Sequence, residues 1–416
     1  MFKEVTSCRC CLGENLFEYL DLGDQPLANS YHKGDEEQSF FPLKVNLCET
    51  CFHSQLSIVV DPPEMFKNYL YVSGTTHTFR KHCSELAFDA VDRFMKWQKL
   101  KPTVTEPRVL DIACNDGTLL GYFREQGCKV QGVDPAENLR SLTEGKDIPV
   151  KVGYWGDGVV VNEIKEKFHI ITATNVFAHV DDIGGFLDDC LKVLAHRDGF
   201  IVLEFPYCEK MINQCEFDTI YHEHLSYFLV HSMMQAVGRR GLVIKDVIRT
   251  PIHGGSIRFF LQPGEEHCKE AVMLMVLEAR QRLMHKSTYE KFGEKVENIK
   301  SEMRDKVDKL KQNGYKMVAF GASAKGNTML NYFELDLDYI VDDNEMKWGY
   351  LTPGRNIPIC SPEEMRNESG KLAIVILSWN FAEEIIEKIR NIRERHSDDV
   401  CLFYVPKVKV VPVFDK

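Results

Sequence analysis

The sequence predicts an α/β protein of three domains, and two features carry this prediction. From Arg108 onwards, apolar runs rich in β-formers alternate with polar segments of helix length, which is typical of doubly wound parallel sheets. Residues 1–72 instead hold two Cys-x-x-Cys pairs and few long periodic segments. We therefore expect a small Cys-rich domain at 1–72, a central α/β domain at 73–250 and a C-terminal α/β domain at 251–416.

Composition and charge narrow the class of protein. The chain has 416 residues, 44% of them hydrophobic and 27% charged, as in globular proteins, which argues against disorder. Its formal charge of −11 argues against a nucleic-acid partner, because phosphate backbones are bound through clustered Lys and Arg. No secretory signal or membrane-spanning run is visible. We expect a cytoplasmic protein whose 14 cysteines are reduced and mostly pack as small apolar side chains.

The cysteine pairs predict a structural zinc site in the first domain. Cys8-x-x-Cys11 and Cys48-x-x-Cys51 each place two sulfurs on one side of a tight turn, as a tetrahedral Zn²⁺ requires. Four thiolates leave no open coordination position, so this zinc is expected to hold the domain together rather than to activate water. The alternative is two unrelated pairs of buried or redox-active cysteines.

Strands and helices of the other two domains follow from the apolar pattern. The central strands are predicted at RVLDI, KVQGVD, HIITATNV and GFIVLEFP. Residues 265–312 form a charged, helix-forming stretch with two or three breaks. Beyond it, strands are predicted at KMVAFGAS, LDYIVDD, LAIVILSW and VCLFYVPK, with helix-like NTMLNYF and FAEEIIEKIRNIRERH between them.

The first strand, turn and helix of the central domain predict a nucleoside-binding site. Asp111 ends the strand, Gly117 lets the backbone approach a ligand, and Asp134 closes the next strand, where a carboxylate accepts hydrogen bonds from ribose. The turn contains Asn115 and Asp116 and lacks the G-x-G-x-x-G of a dinucleotide site. The carboxylates of this turn would repel a pyrophosphate and attract a cationic methionine moiety. We favour S-adenosylmethionine over NAD as the ligand. The third interpretation is a sheet that binds neither.

A second glycine loop follows the first strand of the C-terminal domain. It spaces Gly321 and Gly326 as in a P-loop, but the P-loop lysine position holds Asn327, which argues against NTP hydrolysis. Backbone amides of the loop, together with Lys325, are suited to hold a diphosphate as a passive anion site. The alternative is a glycine turn of a Rossmann-like domain that binds nothing.

The segment EFDTIYHEHLSYF concentrates ionisable side chains, because Tyr221, His222, Glu223 and His224 are consecutive. A zinc-protease motif is rejected, since its second histidine position holds Ser226. A histidine beside a carboxylate can take a proton at neutral pH, and a tyrosine hydroxyl can stabilise an oxyanion. The segment therefore has the parts for enolisation beside a carbonyl, and a polar loop without a catalytic role is the alternative.

Several long motifs then join into one pattern. They are DLGDQPLANS, YLYVSGTTHTFRKH, NDGTLL, GVDPAENL, TNVFAHVDD, EFDTIYHEHLSYF, PIHGGSIR and GASAKGNTMLNY. Through them the chain resembles, over nearly its whole length, the sugar C-methyltransferases that use S-adenosylmethionine on dTDP-linked 4-keto-deoxysugars. The resemblance implies a zinc-binding N-terminal domain, a central class I methyltransferase domain with a Rossmann-like sheet, and a C-terminal Rossmann-like domain that helps to hold the nucleotide-sugar.

The resemblance also implies a reaction and its residues. Methyl transfer is expected at carbon 3 of the sugar, beside the ketone, after a histidine removes the carbon 3 proton to form an enolate. By its position in the motif, His224 is the base. Glu223 and Tyr221 accompany it, and His179 of NVFAHVDD approaches the same site. A base is needed because a carbon beside a ketone is only a weak acid.

Binding residues complete the expected site. The cofactor set is Tyr71, Asp111, Asn115, Asp116, Gly117, Asp134 and Asn175. Lys325 and Asn327 are the candidates for binding the nucleotide-sugar. Two positions depart from the family pattern: Ala113 replaces a glycine, which is expected to tighten the approach to the methionine part, and Ser323 replaces a proline, which affects loop stiffness.

We therefore expect a monomeric C-methyltransferase with S-adenosylmethionine and structural Zn²⁺ as cofactors and a small-molecule nucleotide-sugar as substrate. One alternative is a methyltransferase acting on oxygen or nitrogen, or on another carrier-linked ketone. Another is a catalytically silent nucleotide-sugar-binding protein, and a third is a zinc-dependent interaction protein. Neither a nucleic acid nor a membrane is expected as a partner.

Overall fold

Short antiparallel strands build the N-terminal region. The computed structural model describes residues 1–66, 72–97, 104–195, 199–393 and 397–414. Its first elements are β1 (Phe2–Glu4), β2 (Leu16–Pro26), β3 (Phe40–Cys48), β4 (Ser54–Leu56), β5 (Ile58–Val60) and α1 (Pro62–Phe66). Strands β2, β3 and β4 pair antiparallel in that order. Leu43, Val45 and Leu47 alternate as buried residues along β3, so one face of this sheet forms the local core.

A seven-stranded sheet lies at the centre of the part of the chain that the structure describes. Its strands, flanking helices and neighbours are α2 (His77–Trp97), β6 (Arg108–Ile112), α3 (Thr118–Glu125), β7 (Lys129–Asp134), α4 (Arg140–Glu144), β8 (Val150–Val152), β9 (Ile170–Thr174), α5 (Ile183–Val193), β10 (Phe200–Pro206), α6 (Cys208–Gln214), β11 (Ser226–Tyr227), α7 (Val230–Gly238), β12 (Leu242–Thr250) and β13 (Ser256–Pro263). The order is β12-β13-β10-β9-β6-β7-β8, with β10 to β8 parallel. The four predicted strands are confirmed as β6, β7, β9 and β10. Alternate residues of these strands enter two separate hydrophobic clusters, one on each face.

Strand β13 extends the central sheet beyond residue 250. It pairs antiparallel with β10 and β12, so the sheet continues to Pro263. The register sets Arg258 opposite Glu204, and Arg258 Nε lies 2.7 Å from Glu204 Oε2 in a buried ion pair. His82 of α2 donates from Nε2 to the other carboxylate oxygen at 2.5 Å. The division into domains at residues 72 and 250 stays a prediction.

A second sheet occupies the C-terminal part. Its elements are α8 (Lys269–Arg280), α9 (Lys286–Gln312), β14 (Lys316–Phe320), α10 (Ala324–Phe333), β15 (Tyr339–Val341), β16 (Ile359–Cys360), α11 (Glu363–Asn367), β17 (Leu372–Ile376), α12 (Ala382–Ile392), β18 (Val400–Phe403) and β19 (Lys409–Pro412). The order is β16-β15-β14-β17-β18-β19, and every pair is parallel except β18 with β19. The predicted strands β14, β15, β17 and β18 and helices α10 and α12 are confirmed.

Helix α9 connects the C-terminal part to the N-terminal region. Its buried residues recur every three or four positions and are Tyr289, Phe292, Val296, Ile299, Met303 and Val307. This stripe packs on β2, where the ring centroids of Tyr289 and Phe292 lie 5.1 and 6.1 Å from that of Tyr19. Among the described helices, α9 included, none combines the length and hydrophobicity needed to cross a bilayer.

The two-residue strand β11 brings the central part of the chain into the N-terminal sheet. Ser226 pairs with Gln55 and Tyr227 with Ser54, which gives the sheet order β11-β4-β3-β2. The segment EFDTIYHEHLSYF runs into this strand. Its histidines therefore lie where the N-terminal sheet meets the central domain.

Arg258→Met is expected to destabilise the protein by roughly 3–5 kcal/mol, because it leaves the buried Glu204 carboxylate without its charged partner. Urea unfolding followed by circular dichroism measures the loss. Arg140→Met is the control, since the Arg140–Glu144 pair has 61% and 60% of its side chains exposed and should contribute less than about 1 kcal/mol. An Arg258→Met midpoint equal to that of the wild type would contradict the expected role of this pair.

Candidate active site and zinc centre

Four cysteine thiols converge in the N-terminal region. The sulfurs of Cys8, Cys11, Cys48 and Cys51 all lie within 4.8 Å of one another, with Cys8–Cys51 and Cys11–Cys48 separations of 3.5 Å. A tetrahedral centre with Zn–S bonds of about 2.3 Å needs sulfur separations of roughly 3.8 Å. The set therefore fits zinc, and its four thiolates fill the coordination of the ion.

Both cysteine pairs adopt the same turn. The backbone N–H of Leu12 donates to Cys8 O and that of Phe52 donates to Cys48 O, both at 2.8 Å. Leu12 and Phe52 have φ values of 64° and 55°. Because each turn is local, two thiols are aimed the same way by residues close in sequence, and the spacing alone is enough to predict the site.

The turn after β6 has the geometry of a nucleoside site. Ala113, Asn115 and Gly117 have φ values of 57°, 51° and 73°, which bend the backbone at the carboxyl edge of the sheet. Gly117 is the N-cap of α3, and a Cβ atom there would lie 2.8 Å from Ile148 Cδ1. The conformation of Ala113 costs an L-residue roughly 1–2 kcal/mol, so the glycine expected at this position would be unstrained.

Asp134 organises this turn from the end of β7. Its two oxygens accept the N–H groups of Asn115 and Ala136, each at 2.8 Å. Each oxygen keeps a further lone pair, which fits a ribose hydroxyl. The N–H of Ser73 donates to Asn115 Oδ1 at 2.9 Å, so the segment before α2 lies over the turn. Tyr71, the predicted cover of the cofactor, lies outside the described residues.

Two further predicted cofactor residues are engaged within the protein. Asp111 Oδ1 accepts the hydroxyl of Thr172 at 2.6 Å, and burial raises the pKa of Asp111 to about 7. Asp116 Oδ2 accepts from Thr118 Oγ1 at 2.7 Å and from Lys146 Nζ at 3.2 Å. These contacts build the turn, and direct contact of either carboxylate with a cofactor stays a prediction.

Asn175 follows β9 at the same edge of the sheet. It has a φ of 55°, and its N–H donates to Glu204 O at 2.7 Å. Since β9 is hydrogen-bonded to β6, Asn175 and the turn after β6 leave the sheet side by side. This position agrees with a ligand bound at the carboxyl ends of parallel strands.

His224 lies beside two other predicted catalytic side chains. The ring centroids of His179 and Tyr221 are 5.0 and 4.0 Å from that of His224. His224 Nδ1 lies 2.7 Å from Thr219 O. Because a carbonyl oxygen only accepts, Nδ1 carries the proton, and Nε2 of the neutral ring holds the lone pair. The fold thus brings together His179, Tyr221 and His224 with a defined tautomer of the last.

Burial keeps the two histidines neutral. It is the main cause that lowers the pKa of His224 well below 6.5; the positive charge of Lys325 lowers this pKa further, while the hydrogen bond to Thr219 O raises it. Burial also lowers the pKa of His179 to about 4. At neutral pH both rings are therefore unprotonated at one nitrogen and able to accept a proton.

The two residues before His224 bind the N-terminal region. Glu223 Oε1 accepts from Asn29 Nδ2 at 2.5 Å. His222 Nε2 donates to Phe41 O at 3.2 Å, and the two rings pack edge to face. The sequence pattern leaves His222 without a role, and these contacts give it one, the anchoring of the segment to β3. A catalytic part for Glu223 stays a prediction.

Lys325 and Asn327 have different surroundings on α10. Lys325 Nζ donates to His253 O at 3.3 Å and stands 5.0 Å from the ring centroid of Trp379. Asn327 is 1% exposed, and its Nδ2 donates to Ala28 O at 2.7 Å. Lys325 therefore lies on the side of the histidines, whereas Asn327 ties α10 to the N-terminal region. Substrate contact stays a prediction for both.

The glycine loop before α10 is held at both ends. Ser323 Oγ accepts the N–H of Gly326 at 3.1 Å and so caps the helix. The hydroxyl of Tyr31 donates to Ala322 O at 2.7 Å. Serine thus supplies a helix cap at the position where the family pattern has proline.

Sequence patterns do not predict several polar residues that the fold brings to this region. They are Arg9, Asn29, His82, Lys146, Glu204, His253 and Arg258. One signal was available for Glu204, because a charged residue inside the apolar strand GFIVLEFP needs a buried partner. Asn29, His82, His253 and Arg258 lie inside the motifs of the sequence analysis, but their partners are distant in the sequence.

Comparisons with known proteins agree with this layout. Protein-family models match a zinc binding domain at residues 8–66, a methyltransferase domain at 79–247 and a C-methyltransferase C-terminal domain at 251–406. The chain is similar to the C-methyltransferase NovU of Streptomyces niveus, with 29% identity over 420 residues, or 98% of this chain and 97% of that protein. The aligned region therefore extends over all three matched domains.

Two other similarities are partial. The ubiquinone biosynthesis O-methyltransferase of Nitrobacter winogradskyi is 37% identical over 89 residues, which cover 21% of this chain and 34% of that protein. The crystal structure of an S-adenosylmethionine-dependent methyltransferase from Clostridium acetobutylicum covers 45% of this chain and 92% of its own, with 13% identity and a TM-score of 0.36. Neither extends over all three matched domains.

Gly117→Ala is expected to weaken S-adenosylmethionine binding roughly tenfold, because the φ of 73° and the approach to Ile148 penalise a Cβ atom by about 1–2 kcal/mol. Isothermal titration calorimetry measures the dissociation constant. Gly121→Ala is the matched control one helical turn later, since nothing lies within 4 Å of its Cβ position. The control should keep its affinity and gain up to about 1 kcal/mol of stability. Equal affinities of the two variants would contradict the role of Gly117.

Proposed function

We propose that this S-adenosylmethionine-dependent C-methyltransferase methylates carbon 3 of a dTDP-linked 4-keto-deoxysugar. The observation that carries this proposal is the buried His224, whose Nδ1 donates to Thr219 O at 2.7 Å and whose Nε2 is left to accept a proton. A carbon acceptor needs such a base, whereas an amine or hydroxyl acceptor already has a lone pair. The motifs shared with the sugar C-methyltransferases support the choice of acceptor.

His224 performs the first step of the proposed reaction. Its Nε2 takes the proton from the carbon beside the ketone, and the electron pair of that C–H bond moves into the enolate. The carbonyl of Thr219 holds Nδ1–H throughout, which fixes the tautomer and favours the imidazolium that forms. The depressed pKa of His224 keeps the base unprotonated before the substrate binds.

The surroundings of His224 support stabilisation of the enolate oxygen. The charge of Lys325 is near enough to lower the pKa of His224, and the same field favours a developing anion. Tyr221 lies 4.0 Å from the His224 ring centroid and has a hydroxyl able to donate. His179, at 5.0 Å, completes the set of side chains that we assign to this oxygen.

The protein must also align the methyl group of the cofactor with the acceptor carbon. S-adenosylmethionine supplies the methyl group already activated on a sulfonium. Asn115, Gly117 and Asp134 are proposed to hold its nucleoside part at the carboxyl edge of the central sheet. Asn175 and His179 both follow β9, so one short stretch of chain connects the cofactor side to the acceptor side. The enolate carbon then attacks the methyl group in a fixed geometry.

The nucleotide part of the acceptor is proposed to bind the C-terminal domain. The glycine loop from Gly321 leads into α10, whose N-terminus favours anions, and Lys325 adds a positive charge. Lys325 also lies near His253 and the histidine pair, so a diphosphate here would present its sugar toward His224. A single chain provides all of these groups, which supports a monomeric enzyme.

Labelled S-adenosylmethionine and a panel of dTDP-linked keto-sugars test this function. We expect transfer of the labelled methyl group to the carbon beside the ketone, identified by the carbon–carbon coupling in the product's NMR spectrum. Label on oxygen or nitrogen, or no transfer to any keto-sugar, would overturn the proposed acceptor. An unmodified hydroxyl-sugar nucleotide serves as the negative control, since it has no acidified carbon.

His224→Asn is expected to abolish solvent deuterium exchange at the acceptor carbon, because the asparagine Nδ2 can keep the bond to Thr219 O while Nε2 is lost. Exchange is followed by NMR without S-adenosylmethionine. His222→Gln is the control, since its amide can keep the bond to Phe41 O and exchange should persist. Persistent exchange in His224→Asn would remove His224 from the role of base.

The rate of exchange is expected to stay at its plateau as the pH falls through 6.5 and to decline only at lower pH. The reason is that the pKa of His224 is lowered, and protonation of Nε2 removes the base only below that pKa. Exchange rates measured by NMR over about pH 5 to 8 follow the acidic limb of this profile. Lys325→Met should move the decline of the exchange rate to higher pH, because the loss of a positive neighbour raises the pKa of His224. A limb at or above 6.5 in the wild type would contradict this environment.

A further inference from the structure

We propose that Arg9 is a positioning residue for methyl transfer that holds the His179 and His224 loops against each other. This inference rests on the proposed function, because it takes His224 as the base and His179 as a group at the enolate oxygen. Arg9 lies inside the first zinc knuckle, the turn that carries the zinc ligands Cys8 and Cys11. Its side chain nevertheless contacts both histidine loops.

The guanidinium of Arg9 contacts both histidine loops directly. Its Nε donates to Asp181 Oδ1 at 3.1 Å, and Asp181 closely follows His179. Its Nη1 donates to Leu225 O at 3.2 Å, and Leu225 directly follows His224. The two loops belong to different parts of the central domain, so this one planar group spans their junction.

The zinc knuckle fixes the position of Arg9. The N–H of Arg9 donates to Gln55 Oε1 at 2.8 Å, and Gln55 Nε2 donates back to Ser7 O at 2.9 Å. Arg9 Nη1 also donates to Leu56 O at 3.1 Å. With its side chain 2% exposed, Arg9 has little freedom to follow a displaced loop. Its position is therefore set from the N-terminal domain.

The histidine segment is held from the same side along most of its length. Phe41 O holds His222, Asn29 holds Glu223, the N–H of Leu56 donates to Leu225 O at 3.0 Å, and Ser226 enters the N-terminal sheet. These contacts act on the histidine segment alone. Arg9 adds the connection to the loop of His179, which sets the spacing of the two rings.

The rate of the proposed reaction is expected to depend on the spacing of these two rings. The His179 and His224 ring centroids are 5.0 Å apart. A displacement of about 1 Å in a catalytic group can cost roughly a hundredfold in rate, although the groups themselves remain. Lysine is a poor replacement for Arg9, because one ammonium cannot reproduce the planar fork that reaches a carboxylate and a carbonyl together.

Arg9→Met tests the proposal in the zinc-loaded, full-length enzyme. We expect kcat to fall about 10- to 100-fold, with the dissociation constant of S-adenosylmethionine within about twofold of the wild type. Zinc content should remain at the wild-type level. Arg9→Lys should give an intermediate kcat. Lys3→Met is the matched control: Lys3 pairs with the same Asp181 carboxylate, but its side chain is 65% exposed, and kcat should not change.

Asp181→Asn provides a second test that leaves the zinc knuckle untouched and covers an Arg9→Met chain that does not fold. It should also lower kcat, and the double variant should be no slower than Arg9→Met alone, because both changes break one connection. Wild-type kcat in Arg9→Met or in Asp181→Asn would overturn the proposal. Loss of zinc, or kcat and cofactor binding falling together with the folded fraction, would overturn it in favour of a purely structural role.

The proposed function can fail separately. Absence of deuterium exchange in the wild type would count against His224 as the base, whereas the kcat comparison uses whichever acceptor the wild type methylates. A lowered kcat on that acceptor with unchanged cofactor affinity still supports positioning by Arg9. An unchanged kcat overturns it.

Discussion

Backbone pairing of Ser226 and Tyr227 with Ser54 and Gln55 joins the segment that carries His224 to the N-terminal sheet. Strand β4, which provides Ser54 and Gln55, begins just after the second cysteine knuckle. The zinc centre closes that knuckle, so the metal, the strand and the histidine segment form one continuous support. A zinc ion bound by these four thiolates would thereby support the proposed active site without touching it.

Burial gives the site its chemical character. Removing His179 and His224 from water lowers the pKa of both, so each is neutral where an exposed imidazole would be partly protonated. The same exclusion of water strengthens the field of Lys325, which opposes a proton on His224 and would favour an anion on the proposed acceptor. One environment therefore suits both the proposed base and the proposed enolate.

A short loop of the N-terminal region connects the two ends of the proposed substrate site. Asn29 binds Glu223 in the histidine segment, while Ala28 and Tyr31 bind Asn327 and Ala322 of the glycine loop and α10. Helix α9 packs on β2 and holds the C-terminal part against the same region. Neither α/β sheet contains the whole site, which is assembled only when the three parts pack together. On this basis, substitutions in the N-terminal loop should affect the reaction as well as stability.

The sequence by itself determined eight of the thirteen strands of the two α/β sheets, the two cysteine turns and the turn after β6. Each depends on residues that are near one another along the chain, where periodicity and spacing carry the information. Local pattern also singled out the histidine segment and, with the motif resemblance, His179. Only the tertiary structure decided what surrounds these groups. Asn29 lies 194 positions from Glu223, and Arg9 lies 216 from Leu225, so no local pattern could pair them. The same holds for β11, because two residues acquire a strand conformation only when a distant edge, at Ser54 and Gln55, accepts their hydrogen bonds.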